Sequence, residues 1–160
     1  MRSRNRTQSA LIVVACLAGV PTIALLQATT ALAVDTMTSK DAPDLSSVRT
    51  KIKAKDFRAA LAELKVLADT HQHADVYSLM GFSLRKTGDY STALTFYKKA
   101  LDFDANHKGA HEYLGELYVE TGDLPKAREQ LAVLMKLCPQ GCEEQEDLEK
   151  ALASAAPKAN

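Results

Sequence analysis

The middle of the chain overlays on itself when it is shifted by 34 residues. Thr87-Gly88-Asp89 returns as Thr121-Gly122-Asp123, Gly81 as Gly115 and Ala93 as Ala127. A period of this length marks an array of helical units, each of which buries its apolar face only against its neighbours. The expected fold is therefore all-α, and a helical repeat array argues against an enzyme.

The units can be read residue by residue. The second, 74–107, contains Tyr77-x2-Met80-Gly81-x2-Leu84 and then Ala93-x3-Tyr97-x2-Ala100. The third, 108–141, contains His111-x2-Leu114-Gly115-x2-Tyr118, then Ala127-x3-Leu131, and closes at Pro139. The first, 45–73, is degenerate: Asp56-Phe57-Arg58-Ala59-Ala60 matches Asp89-Tyr90-Ser91-Thr92-Ala93, but its leading helix, about Leu45 to Ala54, lacks the glycine. After Pro139, the segment 142–155 is acidic at its start and apolar at Leu148, Ala151, Leu152 and Ala155, which predicts an amphipathic capping helix.

These spacings resemble the tetratricopeptide repeat, whose pattern is W-x2-L-G-x2-Y, then A-x3-F, then P. The chain departs from it at His111, where a large aromatic is usual, and at Ala105, where Pro is usual. The resemblance implies a right-handed α-solenoid of antiparallel helix pairs, about two and a half to three units with a C-terminal cap. In such an array Gly81, Gly115, Ala93 and Ala127 are expected where the two helices of one unit cross. Gly88 and Gly122 are expected to end the first helix in a left-handed conformation, with Asp89 and Asp123 capping the next.

The resemblance also implies a concave groove lined by the first helix of each unit, gripping an extended or helical peptide. Carried over, the groove residues are Ser78, Phe82, Arg85 and Lys86 in the second unit and Glu112, Glu116, Val119 and Glu120 in the third. Glu112, Glu116 and Glu120 fall on one helix face. The Lys, Asn and Arg of the family's carboxylate-clamp version are missing, so a partner with basic and apolar side chains suits the third unit. These charges also read as a solvated helix face, with Arg85 balancing Glu116.

The N-terminus reads as an address. Arg2, Arg4 and Arg6 precede an apolar run from Ala10 to Leu26 and then Ala31-Leu32-Ala33, the anatomy of a signal peptide cleaved after residue 33. An uncleaved anchor is the alternative, and Val13-Val14-Ala15-Cys16 resembles a lipobox, although a long apolar stretch follows Cys16. Residues 34–44 read as a flexible linker and 156–160 as a disordered tail. Of 20 basic and 20 acidic side chains, cleavage removes only the three arginines, leaving 17 against 20, a charge of −3. Such a product has no excess of positive charge for nucleic acid. The leader points to export, with the periplasm preferred over secretion and no membrane contact once it is cleaved.

Two cysteines remain, Cys138 and Cys142, separated by Pro-Gln-Gly. In an oxidising compartment they would form a disulfide stapling the cap to the array; buried free thiols are the alternative. The histidines fall into two pairs, His71 with His73 and His107 with His111. The second pair is spaced i, i+4, so it could share a metal, but its surroundings are not those of a zinc hydrolase. The sequence thus predicts a non-catalytic scaffold or adaptor for a protein or peptide, monomeric or weakly dimeric, with no cofactor. The competing reading is a metal-handling or thiol-redox accessory protein using Cys138, Cys142, His107 and His111.

Overall fold

A computed structural model describes residues 42–155; the signal peptide, Cys16, most of the linker and the tail lie outside the described residues. Seven helices fill the described part: α1 (Ser46–Lys53), α2 (Phe57–Thr70), α3 (Ala74–Lys86), α4 (Tyr90–Phe103), α5 (Lys108–Glu120), α6 (Leu124–Leu137) and α7 (Glu143–Ala155). Among the described residues there is no strand, and none of the helices is long and apolar enough to cross a membrane.

Local chemistry sets the helix ends, and it repeats. The side chains of Asp56, Asp89 and Asp123 accept the backbone N–H of Ala59, Thr92 and Lys126 and so cap α2, α4 and α6. Gly88 and Gly122, at φ +87° and +83°, turn the chain out of α3 and α5. The equivalent turn after α1 is taken by Lys55 at φ +59°, a conformation that costs a non-glycine residue about 1 kcal/mol. The degenerate first unit therefore keeps the turn geometry of the others without the residue that makes it easy.

Consecutive helices pack as antiparallel pairs, and α3, α5 and α7 also pack in succession, α3 on α5 and α5 on α7. Ala60, Ala93 and Ala127 are wholly buried at matching positions of α2, α4 and α6. One core cluster joins Leu45 just before α1, Val48 of α1, Leu64 of α2 and Val76 and Met80 of α3; a second joins Leu84, Tyr97, Leu114 and Leu117. Burying a side chain of Leu or Val size is worth roughly 1.5–3 kcal/mol, so the clusters bind the helices within each unit and also tie neighbouring units together.

The two repeat glycines are not equivalent. A Cβ on Gly81 would lie 2.6 Å from the ring of Tyr97 on α4, the partner helix of the same unit. A Cβ on Gly115 would instead strike the tip of Leu148 on α7. The expectation that Gly115 lies against its own partner helix is thus corrected. Leu131 stands where the second unit has Tyr97, and the side chain that reaches Gly115 comes from the cap.

Gly81→Ala is expected to destabilise by roughly 1–3 kcal/mol, because the Tyr97 ring is buried and held. Gly115→Ala should cost less than half as much: the branched end of Leu148 can rotate, and α7, as the terminal helix, can shift outward. Urea unfolding of both variants checks this, and equal losses would refute the ranking.

Candidate functional site

The concave side is built by α1, α3, α5 and α7. A cleft of about 310 Å³ opens there, with Arg49 contributed by α1 and Asp75, Ser78 and Leu79 by α3. His107, Gly109, Glu112 and Tyr113 form its α5 side and Glu143, Glu144 and Asp147 its α7 side. Of the groove residues expected from sequence, Ser78 and Glu112 line it. The others lie further along the same helices, and all but Val119 engage one another.

Arg85 is the centre of that second group. Its side chain is almost fully buried, its Nη atoms pair with Glu116 and Glu120, and its Nε–H donates to the Tyr97 hydroxyl at 3.3 Å. Burial opposes the charge on Arg85, yet Tyr97, Glu116 and Glu120 together raise its pKa above the ordinary value. Burial also pushes the Tyr97 hydroxyl far up, against the opposing influence of Arg85. A desolvated guanidinium with two carboxylates braces unit to unit, since α3 and α5 hold its two halves. Arg85 is therefore no exposed basic contact, and two of the three acidic groups of the expected stripe are committed to it.

Phe82 is half-buried. Its ring centroid lies 6.1 Å from that of Phe57 and 4.9 Å from that of Tyr113, and the Lys86 ammonium stands 5.3 Å above it. Lys86 and Glu120 are exposed, while Val119 is partly covered. Burial, together with Glu112 and Glu116, pushes the Tyr113 hydroxyl up to about 12.

Glu112 differs from its neighbours. It is 8% exposed, faces the cleft and has no hydrogen-bond partner among the described residues. Burial, then Glu116 on its own helix and Asp147 and Glu144 on α7, push its pKa up to about 8, with Arg85 pulling the other way. Its surroundings thus favour the protonated acid over the carboxylate.

The histidines are spent on structure. His73 and His107 cap α3 and α5, accepting the N–H of Asp75 and Ala110 at 3.2 and 3.0 Å. His107 Nε2–H donates to Asp75 at 3.0 Å, which holds the Asp75 carboxyl below its usual range. His111 is buried in the core position, with Nε2 3.0 Å from the Ala105 carbonyl and Nδ1 2.8 Å from the Gln130 amide. With both nitrogens of each ring engaged, the metal reading of His107 and His111 gains no support. Cys138 and Cys142 have Cα atoms 5.8 Å apart and sulfurs facing each other, just before α7. The group among the described residues that could hold a metal is Cys138, Cys142 and Glu144, and it includes neither histidine.

Sequence reasoning missed Arg49, Asp75, Tyr113, Glu143, Glu144 and Asp147 as cleft residues. It also paired the histidines by proximity, whereas the 34-residue period relates His73 to His107 and would have marked both as caps.

Glu112 leads to a pH prediction. Its proton is held more tightly in the folded chain (about 8) than in the unfolded one, where the ordinary value is 4.5. Its contribution to stability is therefore complete below about pH 4.5 and is lost as pH rises through about 8. Glu112→Gln should remove this slope, so the melting temperature of the variant relative to the parent should rise by several degrees between pH 5 and pH 9. A difference that stays flat across that range would show that Glu112 ionises normally.

Comparison with known proteins places this geometry. Residues 84–152 match the family model described as tetratricopeptide repeat. Uncharacterized protein ycf37 of Guillardia theta is 32% identical over 81 residues, 51% of this chain and 45% of that protein. The ycf37 protein of Pyropia yezoensis is 34% identical over 65 residues, covering 41% and 36%. The matched stretch thus spans less than half the length of these curated relatives.

Among solved structures, the type III secretion translocator chaperone SycD of Yersinia enterocolitica is similar with a TM-score of 0.60 at 17% identity, covering 71% of this chain and 90% of that one. PcrH in complex with the chaperone binding region of PopD gives 0.58 at 19% identity, covering 69% and 84%. The second tetratricopeptide repeat domain of human RPAP3, in complex with an HSP70 peptide, gives 0.60 at 15%, covering 71% and 92%. At these identities the structural likeness speaks for the fold. Taken with the repeated glycines, alanines and caps, it shows the tetratricopeptide-like helical repeat fold, and residues 84–152 match the tetratricopeptide repeat family itself.

Proposed function

We propose that the protein is a non-catalytic adaptor or scaffold that binds a segment of another protein along its concave face. The observation that carries this reading is the cleft of about 310 Å³ bounded by α1, α3, α5 and α7. A groove that crosses several helices suits an extended chain, which can meet each helix in turn. Support comes from PcrH and the RPAP3 domain, whose structures hold a chaperone binding region and an HSP70 peptide. The expected residues Ser78, Phe82, Lys86, Glu112 and Val119 remain part of the proposed surface, joined by Arg49, Tyr113 and the acidic turns of α7. Arg85, Glu116 and Glu120 enter it as a structural brace.

A photo-crosslinking amino acid placed at Gly109, in the cleft, should trap a discrete partner in the native host. The same group at Val66, exposed at 69% outside the cleft, should not. Trapping at position 66 alone would move the binding face away from the cleft and sink the proposal.

We also propose that the protein is exported, with the periplasm as its compartment, and that Cys138 and Cys142 are joined there as a disulfide. The support is the arginine-led apolar N-terminus with Ala31-Leu32-Ala33 and a Cα separation of 5.8 Å within the range that a disulfide spans. Closing so short a loop stabilises by about 2 kcal/mol on the chain-entropy estimate. Intact mass of the protein from its host should start at Val34, with two thiols alkylated only after reduction. A mass that retains the first 33 residues, or thiols that alkylate without reduction, would remove cleavage or the staple respectively.

A further inference from the structure

We infer that the cleft between α3, α5 and α7 is a subsite for a cationic side chain, a lysine or arginine of the bound segment, received by the buried carboxyl of Glu112. This deepens the peptide-binding reading and rests on it.

Three observations converge. First, Glu112 is 8% exposed, lines the cleft and has no hydrogen-bond partner among the described residues, and its carboxyl oxygens keep access to the cleft rather than being sealed in the core. Second, the walls around it are acidic: Asp75, Glu143, Glu144 and Asp147 share the cleft with Arg49 and His107. Although Lys150 holds Asp147 at 2.9 Å, Glu143 and Glu144 have no ion pair among the described residues. The His107 ring accepts from Ala110 at one nitrogen and meets Asp75 at the other, so both its nitrogens are engaged within the protein. Arg49 is exposed and forms no ion pair among the described residues with any of the four carboxylates. Third, Ser78 is 2% exposed and lines the same cleft, so its hydroxyl is a second polar group there. Tyr113 adds an aromatic face, on which a guanidinium or ammonium can rest.

The electrostatics make the subsite self-reporting. Burial and the neighbouring carboxylates Glu116, Asp147 and Glu144 favour the protonated acid in the free protein, while Arg85 opposes them. A cation placed beside Glu112 reverses that balance: the O–H bond breaks, the carboxylate pairs with the cation, and the proton passes to the buffer. Binding of a basic side chain near pH 7 should therefore release close to one proton. This is the opposite chemistry from a clamp that holds acidic chain termini.

Two measurements on the full chain test the inference together. In the first, n-butylammonium and n-butylguanidinium chloride are titrated in at pH 7. The Glu112 carboxyl resonance is followed, and proton release is read calorimetrically in phosphate and in Tris. In the second, a degenerate nonapeptide library is selected on the immobilised protein. The expected result is a shifted Glu112 signal, proton release approaching one, and selection of Lys or Arg at one library position. Glu112→Gln should abolish the proton release and weaken the selected basic peptides roughly tenfold. Asp147→Asn, in the first turns of α7, should weaken them less and keep the release.

If the library yields peptides without a basic preference and the cations leave Glu112 unmoved, the cation subsite is overturned while the groove reading stands. If the cations shift Glu112 and release the proton but the library yields nothing, the subsite stands as a cation site and the groove reading falls. If neither responds, both fall. A preference for guanidinium over ammonium identifies arginine as the occupant.

Discussion

The array depends on the burial of α3. This helix is packed against α2, α4 and α5, so it has almost no solvent-facing side, and even Ser78, Ser83 and Arg85 are drawn inside. Such enclosure needs a close approach on at least one side, and Gly81 provides it by letting the Tyr97 ring rest against the α3 backbone. A larger residue there would move α4 away, and with it the second core cluster that ties the central unit to the third. The terminal helices do not face this demand. α1 buries only Val48 and α7 only Leu148, which is how end units of a stacked array meet solvent.

Enclosing α3 has an electrostatic consequence. A guanidinium taken out of water must find compensating charge, and Arg85 finds it in Glu116 and Glu120 across the unit boundary. Such a pair adds little net stability over an apolar replacement, but losing one partner would strand the other in a dry site. Its effect is to fix the register of α5 against α3. The same pairing divides the concave side into two parts. Near the helix C-termini the charges are neutralised within the protein. Near the N-termini of α5 and α7, Glu112 and Glu144 have no cation paired with them among the described residues, while Asp147 is held by Lys150 of its own helix at 2.9 Å.

Backbone requirements were legible in the sequence because they recur. A left-handed turn needs Gly88 and again Gly122, a helix start needs Asp89 and again Asp123, and a tight crossing needs Ala93 and again Ala127. The structure shows Phe82 and Arg85 differently from the expected exposed contacts, since their surroundings come from other helices: Phe57 and Tyr113 for one, Tyr97, Glu116 and Glu120 for the other. The cleft was least legible. Two of its walls come from α1 and α7, the degenerate first unit and the cap, where no period relates one residue to another. Gly115 shows the same limit: its period was plain, but the side chain that fills its place belongs to the cap.

The cap helix therefore has two roles that constrain each other. Leu148 closes the core over Gly115, which fixes the rotation of α7 about its axis. With that rotation set, Glu144 and Asp147, four and one residues before Leu148, turn toward Glu112 and line the cleft. The carboxylates of the first turn are themselves favoured by the positive end of the helix dipole, so α7 can hold them together at low cost. They in turn keep the Glu112 proton in place. An apolar contact that seals the array thus also sets the charge of its concave side, and a change that reseats Leu148 would be felt at Glu112 before it was felt at any other carboxyl of the cleft.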